Sequence, residues 1–128
     1  MTTRAAIEPE AIAVIGGVDT HKNTHYAAAV DDHGRLLGHP EFPANDRGYA
    51  DLLSWVQSQG DVAAIGVEST GSFGATLTRF LTAHAVRVVE VNRPNRLARH
   101  MDGKSDRLDA EQIARAVLGQ SPMRSMSD

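Results

Sequence analysis

Residues 11–22, AIAVIGGVDTHK, hold the reading on which the fold turns. A short apolar run rises through Ala13, Val14 and Ile15, breaks at Gly16-Gly17 and ends on Asp19. It is far shorter than the roughly 20 apolar residues that span a bilayer. Its length and its β-branched residues predict a buried strand over residues 11–19. A carboxylate at the tip of such a strand is costly to bury alone, so it needs a hydrogen-bond partner or a cation.

Working outward, residues 25–31 (HYAAAVD) predict a second strand, and Asp32-His33-Gly34 is a hairpin signal leading to a third over residues 35–42. Three strands joined by short turns make an antiparallel meander, with the first in the interior of the sheet. Asn45 is a candidate N-cap. Tyr49, Leu52, Leu53 and Val56 then follow at helical spacing as far as Gly60. Residues 63–68 (AAIGVE) predict a fourth strand, again apolar and again ending in an acid. A second helix opens at Thr70-Gly71-Ser72 with Phe73, Leu77, Phe80 and Leu81 inward, and residues 86–91 (VRVVEV) predict a fifth strand. The order βββαβαβ describes an α/β protein with a mixed five-stranded sheet, antiparallel and then parallel, flanked by helices. A last helix runs from Ser105 or Asp106 to about Leu118, with Asp109, Ile113, Ala116 and Val117 inward. Residues 1–10 and 120–128 carry no core-forming pattern and are expected to be a flexible arm and tail around one domain, residues 11–119.

The 128 residues suit a single domain, and 41% hydrophobic with 23% charged is ordinary globular composition. No cysteine is present, which excludes disulfides, thiolate metal sites and thiol nucleophiles. Glu8 and Glu10 interrupt any signal-peptide core, so a cytoplasmic protein is expected. Net charge is −3, but unevenly spread: six Lys and Arg face eleven acids through residue 92, then seven face five. Arg93, Arg96, Arg99, Lys104 and Arg107 make a local basic segment able to hold a polyanion, or else a solvated loop. Lys22 is a further candidate phosphate contact.

If the first and fourth strands are neighbours, Asp19 and Glu68 converge. Asp106 and Asp109, three apart, share a helix face. Four carboxylates together would force some to hold protons unless a cation intervenes. Mg²⁺, with Mn²⁺ as a substitute, takes oxygen ligands and keeps sites for water and phosphate. Two such ions about 4 Å apart clamp the oxygens of a phosphodiester in transfer. Each acid also has a structural alternative. Asp19 caps a turn, Glu68 is satisfied in its loop, or Asp106 is an N-cap with Asp109 completing a capping arrangement. His21 and His25, on a strand rather than a helix, read as surface or substrate-contacting residues and not as ligands.

The motifs Gly17-Val18-Asp19-Thr20-His21-Lys22, Gly66-Val67-Glu68-Ser69-Thr70-Gly71, Val91-Asn92-Arg93-Pro94 and Gly103-Lys104-Ser105-Asp106-Arg107-Leu108-Asp109-Ala110 resemble, in order, the N-terminal domain of IS110-family transposases. The resemblance implies a RuvC-like variant of the RNase H fold, with the DEDD acids on Asp19, Glu68, Asp106 and Asp109. It implies Mg²⁺-dependent DNA cleavage and strand transfer, sites chosen by an element-encoded RNA, and the basic segment lying on nucleic-acid backbone. The partners expected are DNA, a guide RNA and further copies of the chain, near the nucleoid and without a membrane. Relatives continue into a second domain with a serine nucleophile. Ser121, Ser125 and Ser127 resemble nothing in it, so complete recombination is not expected from these residues alone. Two other readings stand beside this one: a non-catalytic nucleic-acid-binding or dimerisation module, and an actin-like ATPase or sugar-kinase fragment.

Overall fold

The computed structural model describes residues 12–68, 72–91 and 106–120. Its centre is β1 (Ala13–Thr20), buried along its whole length after Ala13. It is flanked by antiparallel β2 (Thr24–Asp31) and by parallel β5 (Asp61–Glu68). A strand covered on both faces needs apolar side chains pointing both ways, which is why its sequence is a continuous run and not an alternation. Val14 and Val18 face one core with Tyr49, Leu52, Val56, Leu77 and Leu81. Ile15 faces the opposite core with Ile113, Ala114, Val117 and Leu118.

The sheet order is β3 (Leu36–Gly38), β2, β1, β5, β6 (Val88–Val91), with β4 (Glu41–Pro43) also paired to β2. The predicted third strand is broken. β3 and β4 replace it, so among the described residues the sheet has six strands where five were expected. Pro40 explains the break. Its carbonyl accepts from the Ala27 N–H at 2.9 Å, but with no N–H of its own it cannot return the bond. The hairpin before it is held by Asp31, whose Oδ1 accepts the N–H groups of His33 and Arg35, each at 2.9 Å. Burial opposes ionisation of this carboxyl, but those two backbone donors, aided by the charges of Arg35 and His33, outweigh it and lower its pKa.

Helix α1 (Asp46–Gln59) begins where predicted, the Asn45 side chain accepting the Gly48 N–H at 2.8 Å, and Gly60 follows its end. Helix α2 (Ser72–Ala83) carries the crossover from β5 to parallel β6 (Val88–Val91). Leu77 and Leu81 are buried as expected, whereas Phe73 is 40% exposed. Gly74 lies against the carbonyl of Glu68, the last residue of β5, so the first turn of α2 sits at the end of the sheet, where Phe73 is only partly covered.

Helix α3 (Asp106–Gln120) covers the other face, and two glycines let it approach. Gly17 and Gly66 are register partners on β1 and β5. A Cβ on Gly17 would collide with the Ala110 carbonyl and the Ala114 amide, and one on Gly66 would press on Val117 and Ile113. The helix runs opposite to β1. Near its C-terminal end, Arg115 Nη2 donates to the Gly34 carbonyl at 2.8 Å, in the turn after β2. Its first turn therefore reaches the far end of the sheet, where β1 and β5 finish. Among the described residues no helix is long and apolar enough to cross a membrane.

Candidate active site

Val18 pairs with Val67, so the next residue on each strand is an acid: Asp19 on β1 and Glu68 on β5. Gly-Val-Asp and Gly-Val-Glu thus run side by side in register. Strand periodicity places Asp19 on the face of Gly17, and Glu68 on the face of Gly66, which is the face that α3 covers. Their side chains are 0% and 3% exposed. Asp109, in the first turns of α3, is 2% exposed and directly precedes Ala110, the residue that rests on Gly17. Three buried carboxylates therefore occupy one face of the molecule, toward one end of the sheet.

This donor chemistry suits a hard divalent cation, which prefers oxygen over nitrogen or sulfur. The positive end of α3 also favours negative charge at this end of the sheet. Among the described residues, no three His, Asp or Glu side chains are drawn together tightly enough to hold a metal ion as they stand. Asp106 is the first residue of α3, one turn from Asp109, and its carboxylate lies outside the described residues.

Of the residues expected to contact nucleic acid, Lys22 is exposed in the turn between β1 and β2, beyond the same strand end. Arg93, Arg96, Arg99 and Lys104 lie outside the described residues, as does the side chain of Arg107. Of the two histidines read as surface or substrate contacts, His25 is instead buried, whereas His21 is part-exposed beside the acid. His21 reaches back to the acid, with Nε2 at 3.0 Å from Asp19 Oδ2. Strand alternation could have pointed to this, because residues 19 and 21 share a face. His25 is 1% exposed and stacks on Tyr49 of α1, with ring centroids 5.6 Å apart. It pairs with Thr20 across the ladder and faces the α1 core, where desolvation lowers its pKa.

RuvC of T. thermophilus, solved in complex with a Holliday junction substrate, superposes with a TM-score of 0.59. The match covers 80% of this chain and 90% of that one at 14% identity. The fold is therefore the RuvC-like form of the RNase H fold. The Pelota protein of Thermoplasma acidophilum matches more loosely, with a TM-score of 0.45 and 12% identity over 88% of this chain and 40% of its own. No curated protein matches the chain significantly. The model of the IS110 DEDD transposases matches residues 16–128, and the chain belongs to that transposase family.

Proposed function

We propose that this chain is the catalytic domain of an IS110-type transposase that cuts and rejoins DNA with the help of Mg²⁺, at sites chosen by an element-encoded RNA. Asp19, Glu68, Asp106 and Asp109 would hold the cation. Lys22, Arg93, Arg96, Arg99, Lys104 and Arg107 would lie along the nucleic-acid backbone. The observation that carries the reading is the burial of Asp19 and Glu68 in register on the face shared with Asp109. A fold needs no acids there for packing, and buried carboxylates oppose stability unless compensated. When bound, divalent cations stabilise charge on the attacking and leaving oxygens of a phosphodiester. The chain's own part is to hold the acids rigidly on two central strands and one docked helix, and to align the DNA through its cationic side chains.

Thermal melting with Mg²⁺ or Mn²⁺ tests this reading. A cation that binds only the folded state adds about 2.7 kcal/mol at a hundredfold excess over its Kd. A clear rise in Tm is expected for the wild type and none for Asp19→Ala. A wild type whose Tm ignores both ions would overturn the metal reading. It would favour a non-catalytic nucleic-acid-binding module. In that case Asp19→Asn and Glu68→Gln would bind nucleic acid as the wild type does.

A further inference from the structure

We infer that His21 is a positioning residue for Asp19, helping to fix the rotation of its carboxylate from the β1–β2 turn. The inference rests on the proposed role of Asp19 in holding a cation. His21 Nε2 lies 3.0 Å from Asp19 Oδ2. A carboxylate only accepts hydrogen bonds, so in this contact Nε2 carries the proton. The Asp19 side chain is fully buried, whereas that of His21 is 28% exposed, so the imidazole closes over the acid from the solvent side.

The ring does not hang freely. Tyr26, the partner of Asp19 across the β1–β2 ladder, meets the His21 ring edge-on, with centroids 5.5 Å apart at 86°. The backbone of His21 is held as well, its N–H directed at His25 Nδ1 at 3.4 Å. His25 is locked in turn by its stack on Tyr49, with the rings inclined by only 14°. The line Tyr49, His25, His21, Asp19 thus ties the acid to helix α1, on the opposite side of the sheet from α3. Such support matters because a carboxylate that binds a cation through one oxygen gains affinity when its other oxygen is held by a neighbour. Removing such a neighbour typically costs about 10- to 100-fold in metal affinity or activity.

His21→Ala and His21→Gln of the whole 128-residue chain test the inference. Glutamine can offer an N–H in nearly the same place without an imidazole. Two readouts are needed. In metal-free protein, NMR should show a His21 ring Nε2–H proton protected from exchange in the wild type and lost in Asp19→Ala. In Mn²⁺ or Mg²⁺ titrations followed by Tm, His21→Ala should bind about 10- to 100-fold more weakly, and His21→Gln should recover most of the loss. The inference is overturned if His21→Ala binds cations as the wild type does, if His21→Gln is as weak as His21→Ala, or if no Asp19-dependent ring proton exists. A wild type that ignores both cations while showing that proton would overturn the metal reading alone and leave the pairing supported.

Discussion

His25 is the clearest case of a single residue whose environment decides its chemistry. Its ring is stacked on Tyr49, its Nδ1 faces the His21 amide, and its buried Nε2 has no hydrogen-bond partner among the described residues. Desolvation lowers its pKa below the usual 6.5; His21 adds to this, while the Thr24 backbone and Asp19 pull the other way. The unfolded chain therefore takes up a proton at a higher pH than the folded chain does. The associated stability is intact above about pH 6.5 and is lost as pH falls from there toward the folded pKa, by at most about 1.4 kcal/mol per pH unit. His25→Phe keeps an aromatic ring on Tyr49 and has nothing to protonate. Urea melts at about pH 7.5 and about pH 5.5 should show a smaller acid-side loss for His25→Phe than for the wild type; equal losses would show that His25 does not titrate this way. This residue was not legible in the sequence, because its partner belongs to a distant helix. Asp19 and Glu68 were legible, since each ends an apolar run and neither suits the core that precedes it.

At the scale of elements, the sequence was most informative where one local cause is sufficient. The Asn45 cap, the Asp32-His33-Gly34 turn and the stripe of Tyr49, Leu52, Leu53 and Val56 each stand as predicted. It was least informative where two elements compete for space. The position of Phe73 depends on where a neighbouring strand ends, which periodicity does not register, whereas the break at Pro40 has a local cause, the missing N–H, that the alternation of residues 35–42 masked. The docking of α3 is of the second kind, and it is testable through two glycines with opposite expectations. Gly17 lies directly beneath the α3 backbone, whereas a Cβ at Gly119, near the end of the same helix, would meet nothing within 4 Å. Gly17→Ala should cost about 1–3 kcal/mol by lifting the helix. It should also shrink any cation-induced rise in Tm, because α3 carries Asp109. Gly119→Ala should gain up to about 1 kcal/mol from helix propensity alone. Chemical denaturation of both variants decides, and a harmless Gly17→Ala would mean that α3 does not rest on β1 this closely.

For the whole molecule, charge has to be reconciled with the proposed nucleic-acid partner. The chain carries a net −3, and its three buried acids on one face would repel phosphate if left uncompensated. Attraction must then be local. The cationic residues 93, 96, 99, 104 and 107 fall in the sequence between the end of β6 and the second residue of α3, and Val91 of β6 packs with α3 in the core on the face of the acids. The residues that flank the segment, Val91, the ladder partner of Glu68, and Asp106, the first of α3, both lie at the end of the sheet where the acids are. Neutralising phosphates there would contribute affinity without reading sequence, with a salt dependence that counts the contacts made. Arg96→Ala and Arg99→Ala should therefore weaken binding about equally on unrelated DNA sequences, each reducing the slope of log K against log salt by about 1. Filter binding or fluorescence anisotropy at several salt concentrations measures both quantities at once. A loss confined to one sequence would make these arginines readers of bases. An unchanged slope would place the phosphate contacts elsewhere on the molecule, with Lys22, at the same end of the sheet, as the next residue to remove.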